Sequence, residues 1–569
     1  MEKIKEYIKK HEYIDFIIII LFMFVFFILF ANHFGAILSD RGREFLLPQE
    51  ILNGAVPYKD IILIYFPFSY YINALIYKLL GISFNSLLIS QSIICTVFLI
   101  FYYLLSREFL GRCYSLLITI LIISCCIFAK NDLFSYIIPY AYGRVYGVLG
   151  ILICTYALVK LHKTDNIKYA YLAGIMSGFS VCCKMEFFTA VIIFLIGILT
   201  YKNFKKSDYL KILLFFLIFP VICISILVIQ GVSINDLISA LQFGLKFASS
   251  EVMTRHLVHA GIYPSALLIN SGKILNGLLN VFILLYLLFF GLRLQYVRKS
   301  YIYLVCVYIF SFKCCYNPFV AEAYWLWLPI AILIIFIILF KRIKNDMPLL
   351  IILTAAIITT QREFFYLSLG LYGTYSFPLM FLSFIIIVDR FFYKEILKVK
   401  VKHLFCSLII ILIVFYFQGN MIKRNETEFE IKTNKGTFYT NYNIRSAILN
   451  TRLYLEKYTD KDATILVLPE GNIINYITNR KVDMHCFMMD RLYHDAYGDE
   501  KARDMIAQTN SDYIILIRGF DTNNFARHYL YRPKQTYAAK YIFDNYTEVL
   551  RYKNYTGNII ILKRNDYKK

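Results

Sequence analysis

Before residue 418 this 569-residue sequence lacks the apolar periodicity by which a soluble protein hides its core. A soluble chain with 59 % hydrophobic residues would space them roughly every 3.6 or 2 positions. Here they stand in unbroken runs, such as 14–31 and 210–230. A run of ~20 apolar residues matches the hydrocarbon core of a bilayer. No small-residue cleavage site follows the first run, and many more runs succeed it, which excludes a lone signal peptide. A disulfide framework is missing too. Of 13 cysteines, all but Cys486 lie in or beside apolar runs, so the C-terminal tail cannot form a disulfide within itself. The Cys-Cys pairs at 125–126, 182–183 and 314–315 have no metal-ligand companions and read as small apolar residues. There is no repeat of solenoid period and no low-complexity segment.

Acidic residues are outnumbered, 38 against 60 Lys and Arg, for a formal net charge of +22. Such a balance suggests nucleic acid, but its distribution points elsewhere. Basic clusters at 107–112, 160–168, 202–211, 293–299, 341–344 and 390–402 fall on every second connection between apolar runs. Together with residues 1–13 they hold 24 Lys and Arg against 7 Asp and Glu. This is the positive-inside pattern, so the charge sets orientation and no nucleic-acid partner is expected.

Starting inside, the runs give about thirteen spans: 14–31, 86–105, 113–129, 142–159, a tight pair broken near Lys184 and Glu186, a seventh ending near Gln230, then 274–292, 301–316, 324–340, 348–366, 373–388 and 403–417. After Gln418 the composition becomes mixed, with β-type runs at 464–468, 513–517 and 558–562 and helix-like stretches at 443–458 and 500–509. The expected fold class is therefore an α-helical polytopic membrane protein with a small C-terminal extracytoplasmic α/β domain. Residues 1–417 would form the transmembrane module, with outer loops at 32–84 and 231–272, and 418–569 the soluble domain.

The first outer loop is the most informative stretch. It packs four carboxylates and three cations into residues 40–60, beside the membrane. A helical reading from Asp40 puts Arg43 and Glu44 at i+3 and i+4 on one face. Pro48 and Asn53-Gly54 punctuate the chain, and the aromatic stretch 65–71 suits a helix lying in the interface. On physics alone, this is either a reaction site or a solvated loop with ordinary ion pairs.

The loop resembles that of the GT-C glycosyltransferases that use polyprenyl-phosphate sugars, a group including aminoarabinose transferases, protein O-mannosyltransferases and bacterial transferases of cell-surface glycans. The resemblance rests on Asp40, the run Glu50-Ile51-Leu52-Asn53-Gly54, Val56-Pro57-Tyr58 with Asp60, and Pro67. It is strong over 38–71 and weak elsewhere. The usual Asp-Glu pair is here Asp40-Arg41, with Glu44 four residues on.

The resemblance implies transfer of a sugar from a lipid phosphate to a cell-envelope acceptor, a glycan, lipid or protein, with inversion. A positioned carboxylate can take the proton of the attacking hydroxyl, and cations can receive the departing phosphate. Asp40 is the candidate base; Glu44 and Asp132, the acid at the outer end of span three, are further candidate acids. Lys184, a single cation on the outer side, either snorkels or binds phosphate. Arg362 suits multidentate phosphate contact or an ion pair with Glu363, and Arg43 joins these as a donor-phosphate candidate. Arg255, His256 and His259 in the second outer loop are acceptor or lid candidates. The two histidines lack a third ligand, so no metal or other cofactor is assigned. The expected place is the cytoplasmic (inner) membrane, with the N-terminus cytoplasmic and the tail outside.

A flippase or exporter of a lipid-linked glycan, or a non-catalytic envelope-assembly protein, are the other readings. Transporters place ionisable residues at mid-membrane depth, whereas the charges here gather at outer span ends. In the tail, Leu466-Val467-Leu468-Pro469-Glu470-Gly471 and Ile474-Asn475-Tyr476 read as strand, turn and helix start, with no catalytic role.

Overall fold

In lipid a backbone has no water to bond, so an apolar run must satisfy its own N–H and C=O groups as a helix. The computed structural model follows that constraint. It describes residues 2–251, 264–298, 325, 327–360, 372–391, 395–396, 399–519, 530, 532, 535–554 and 556–567. Seven of its helices contain windows long and apolar enough to cross a membrane: Tyr13–Phe30, Phe84–Arg107, Tyr142–Thr164, Lys206–Ile229, Asn270–Arg293, Thr374–Phe391 and Lys402–Glu426. The chain is thus a multi-pass membrane protein. Shorter apolar helices run beside them at Arg112–Ile127, Met185–Leu199 and Met347–Thr359. The expected span 301–316, and the candidates Arg255, His256, His259 and Arg362, lie outside the described residues.

In chain order the first helices are α1 (Glu2–Phe30), α2 (Arg41–Leu52), α3 (Phe68–Leu80), α4 (Phe84–Arg107), α5 (Arg112–Ile122), α6 (Tyr142–Thr164) and α7 (Lys168–Cys183). They are followed by α8 (Ala190–Leu199), α9 (Lys206–Ile229), α10 (Ile234–Ala248) and α11 (Pro264–Arg298). The bundle closes with α12 (Leu328–Ile343), α13 (Met347–Thr359), α14 (Thr374–Phe391) and α15 (Val401–Glu426). Two differences from the sequence reading stand out. The loop expected at 231–272 is largely helical, because Ser233 and Asp236 cap a new helix there: each accepts the other's backbone N–H. And α15 continues past Gln418 to Glu426, where Asn420 donates to the Ser124 carbonyl at 2.9 Å and keeps the polar end against the bundle.

At the opposite end of the bundle, Asp15 is fully buried on α1. It accepts from Arg112 Nε and Nη2 at 2.7 and 2.8 Å and from the Tyr103 hydroxyl, which ties α1 to α4 and α5. A buried carboxylate is tolerable only with such partners.

The tail opens with a hairpin, β1 (Phe429–Thr433) and β2 (Gly436–Thr440), then α16 (Tyr442–Tyr458). A four-stranded sheet follows, built of β3 (Ile465–Leu468), β4 (Tyr513–Gly519), β5 (Tyr546–Lys553) and β6 (Gly557–Arg564) in the order β3-β4-β6-β5. β3 and β4 are parallel and the other pairings antiparallel. Helices α17 (Ile473–Thr478), α18 (Arg491–Tyr497), α19 (Asp499–Gln508) and α20 (Tyr537–Asn545) accompany it. β3 is buried along its whole length, as expected of an apolar parallel strand.

What positions the site is the way this tail grips the first loop. The ends of α1 and α15 lie side by side, with His33 Nδ1 2.8 Å from the Thr427 carbonyl. The Phe34 N–H donates to the Tyr439 carbonyl and the Tyr439 N–H to the Asn32 carbonyl, both at 2.8 Å, so the loop extends the hairpin. Phe34, Phe45, Phe84, Phe438 and Tyr476 form one aromatic cluster from both parts. Such ring pairs contribute about 0.5–1.5 kcal/mol each beyond their buried area. Loop and tail therefore share one face of the membrane.

The closest approach is at Gly42 on α2. A Cβ there would sit 2.3 Å from the backbone nitrogen of Ile473, at the start of α17. Overpacking against backbone costs about 1–3 kcal/mol. Gly42→Ala should therefore lower the thermal midpoint of the detergent-solubilised protein and speed proteolysis of the tail. An unchanged melt with an equally protected tail would show that α2 does not bear on α17.

Candidate active site where loop, bundle and tail meet

Asp40 stands immediately before α2, and the first turn carries Arg43 and Glu44 round to its side, as the i+3 and i+4 spacing requires. Arg43 Nη1 lies 3.2 Å from Asp40 Oδ1, its Nε 3.1 Å from Glu44 Oε1, and its Nη2 donates to the Tyr140 carbonyl at 2.9 Å. Met488 of the tail places its sulfur 3.6 Å from Nη1. The three differ in access: side-chain exposure is 29 % at Asp40, 2 % at Arg43 and 1 % at Glu44. Asp40 alone of them can meet a substrate.

Glu44 is occupied on both oxygens. Oε1 accepts from the Tyr70 hydroxyl at 2.8 Å and from Arg43, and Oε2 accepts the Tyr142 N–H at 3.1 Å. Burial pushes its carboxyl above the usual range; the Arg43 charge and these donors pull against that. Burial also opposes the charge on Arg43. Tyr70, Asp40, Tyr65 and Glu44 around it outweigh that penalty and hold the guanidinium firmly protonated.

A second group of cations faces the same tyrosines. Lys184, in extended backbone between α7 and a short turn, lies 4.7 Å from the centre of the Tyr65 ring, and Arg43 lies 5.0 Å from it. Lys184 Nζ also meets the Tyr140 hydroxyl at 3.2 Å. Arg144, on the first turn of α6, sits 4.8 Å from the Tyr372 ring and 5.1 Å from that of Tyr375. Glu186 binds both cations, at 2.7 Å from Arg144 and 3.6 Å from Lys184. Asp132 begins a short 3₁₀ turn, Asp132–Phe134, whose Phe134 ring packs on Tyr140 and Tyr372 at 5.2 and 5.1 Å. Asp40, Glu44, Arg43 and Lys184 are thus brought to one junction, with the Asp132 turn at its edge.

Arg144 escaped the sequence reading, although the signal was present. It is a single cation at the end of a span, close to the feature that singled out Lys184. Asp490 had no local signal. It caps α18, accepting the Tyr493 N–H at 2.9 Å, two residues from Met488. Burial, and next the negative charge of Asp40, push its carboxyl up to about 6, against backbone N–H groups and Arg43, which pull it down. Among the described residues no three His, Cys, Asp or Glu side chains gather into a metal site.

No protein-family model matches the chain, and no curated protein matches it. Among solved structures, the chain is similar to the archaeal oligosaccharyltransferase AglB from Archaeoglobus fulgidus in complex with an inhibitory peptide and a dolichol-phosphate. Identity is 14 %, over 97 % of this chain and 74 % of that one, with a TM-score of 0.47. The oligosaccharyltransferase of the same organism with zinc and sulfate gives 12 %, 88 %, 67 % and 0.47. ArnT from Cupriavidus metallidurans bound to undecaprenyl phosphate gives 9 % identity over 97 % of this chain and 98 % of that one, with a TM-score of 0.47. At these scores the likenesses supply no residue-by-residue correspondence.

Asp490 yields a test with a definite sign. A carboxyl whose folded pKa is raised binds protons more readily folded than unfolded, so stability falls as pH climbs from about 4 to about 6. Well above pH 6 the penalty reaches about 3 kcal/mol. Asn keeps the helix cap and removes the charge. Asp490→Asn should melt higher than the parent at about pH 7.5 and together with it near pH 4. A difference independent of pH would show that Asp490 carries no such strain.

Proposed function

We propose that the chain is a membrane glycosyltransferase of GT-C type, moving a sugar from a polyprenyl-phosphate donor to a cell-envelope glycan, lipid or protein. The observation that carries this reading is the pairing of one accessible carboxylate, Asp40, with a tyrosine-lined cation group, Lys184 and Arg144, across the ring of Tyr65 and the Arg43 guanidinium. The family pattern at 38–71 supports it. In the proposed step Asp40 takes the proton of the acceptor hydroxyl as that oxygen attacks the anomeric carbon. The bond from that carbon to the phosphate oxygen breaks, and the electron pair leaves with the lipid phosphate, toward Lys184 and Arg144. One displacement inverts the anomeric centre. Arg43 and Glu44 are positioning residues: the first holds Asp40, the second holds Arg43. Arg362, on sequence features alone, remains a donor-phosphate candidate, Asp132 a candidate acid, and Arg255, His256 and His259 acceptor-side candidates.

Asp40→Asn keeps the side chain's shape and removes the base. Single-turnover transfer from a labelled polyprenyl-phosphate sugar should fall by about 10²-fold or more, with the melting profile unchanged. Glu44→Gln should instead lower stability, because it leaves Arg43 buried with one charge fewer. Near-normal transfer by Asp40→Asn would remove it as the base.

Orientation is part of the proposal: the chain lies in the cytoplasmic membrane with residues 1–417 as the catalytic module, its N-terminus inside and the domain 418–569 outside. A reporter active only in the cytoplasm, fused after Lys569, should be silent. An active reporter would place the site on the inner face and overturn the lipid-phosphate reading, since nucleotide sugars are available there.

A further inference from the structure

Helix α10 presents three distinct faces. One is half-buried and consists of Asp236, Leu237, Ala240, Phe243, Gly244 and Phe247, recurring at helical spacing. A second is an apolar stripe of Ile234, Ile238, Leu241 and Leu245, each 47–70 % exposed. The third is polar: Asn235, Ser239, Gln242, Lys246 and Ser249, all exposed. At 100° per residue the apolar stripe lies between the protein face and the polar face. A helix so divided sits where protein, lipid and water meet.

Two neighbours say what each side meets. α9 ends at Ile229, and α10 begins at Ile234 after a turn through Gly231, whose φ of +79° permits the reversal. The turn is fastened by the Tyr71 hydroxyl, which donates to the Gln230 side chain from α3. α9 keeps exposed apolar side chains, Ile222, Ile224, Val228 and Ile229, up to its last residue, and the exposed Ile234 opens α10 five positions later. On the protein side Phe243 stacks on Tyr497 at 4.3 Å between centroids, and Phe247 meets Tyr493 edge-on at 5.2 Å. Both tyrosines belong to α18, the helix that Asp490 caps.

We propose that α10 is a lipid-seated strut: its apolar stripe lies in the leaflet from which α9 emerges, and its aromatic face holds α18, and with it Asp490, over the site. The partner is the bilayer surface, because the stripe begins a short turn after the exposed apolar end of a helix long and apolar enough to span the membrane. The inference does not depend on the site's transferring a sugar. It implies that the tail is seated by the membrane as well as by its grip on the first loop.

The test uses the full chain in phosphatidylcholine nanodiscs, with and without dibrominated acyl chains. Its two natural tryptophans are the background. The emission added by Ile238→Trp or Leu245→Trp should be quenched about two-fold or more by the brominated lipid and little by iodide, whereas Gln242→Trp should show the reverse. Stripe tryptophans that ignore brominated lipid overturn the proposal; if they are also shielded from iodide, a second copy of the chain or another protein covers the stripe. The strut is tested separately. Ile238→Asp with Leu241→Asp should raise amide hydrogen exchange in 491–497 by about ten-fold while leaving β3 and β4 as protected as in the parent. Parent-like exchange in 491–497 would show that lipid seating does not hold α18.

Discussion

The Arg43 guanidinium is the interaction on which the rest of the site depends. It is a charge almost wholly removed from water, a placement that costs several kcal/mol unless the surroundings repay it. They do so in three directions. Asp40 and Glu44 come from its own helix turn, Tyr140 offers a carbonyl from the segment before α6, and Met488 comes from the tail. One side chain thereby fixes the first loop against the bundle and the tail together. A shift of the bundle by an ångström or two would cost Arg43 its bond to the Tyr140 carbonyl, and a shift of the tail its contact with the Met488 sulfur.

The same demand explains why the loop is compact where a solvated loop would be open. Glu44 is tolerated at 1 % exposure only because a hydroxyl, a backbone N–H and a guanidinium converge on it. Those donors come from α3, from α6 and from α2, so each must be in place before the carboxylate can be. Gly42 then lets the opposite side of α2 approach α17 to backbone contact. The residues beside Asp40 thus serve two surfaces: one turn makes the charged cluster, the other the seat for the tail.

Much of this was legible from composition and spacing. Apolar runs located the long helices, Asp40, Arg43 and Glu44 met as helical spacing required, and the alternation of β-type and helix-like stretches after residue 440 matched a sheet with helices. What was not legible depended on distant contacts. Nothing local to Asp490 marks it out from other acids of the tail; its partners are 450 positions away in the chain, a separation only folding removes. The helix start at Asn472 and Ile473 read as plain connection because its neighbour, Gly42, is equally remote. Arg144 is different: its position as a single cation at a span end is visible in the sequence, and what folding adds is its pairing with Glu186 and its tyrosine surroundings.

Charge accounting joins the two halves of the site. Arg144 and Lys184 both pair with the Glu186 carboxylate. A sugar phosphodiester of a polyprenol carries one negative charge, and the polyprenyl phosphate it leaves behind carries close to two. On the proposed chemistry the cations attract the donor phosphate and gain further as the bond to the anomeric carbon breaks, because the new charge develops on the phosphate. That is stabilisation realised in the transition state more than in the ground state, which is what raises a rate. In the same proposed step Asp40, paired with Arg43, gains a proton and loses its charge. The negative charge that disappears beside Arg43 reappears beside Lys184 and Arg144, so the reaction moves one unit of charge across the site without changing its total. An enclosure built of fixed ion pairs suits such a step, since no solvent must reorganise to follow it.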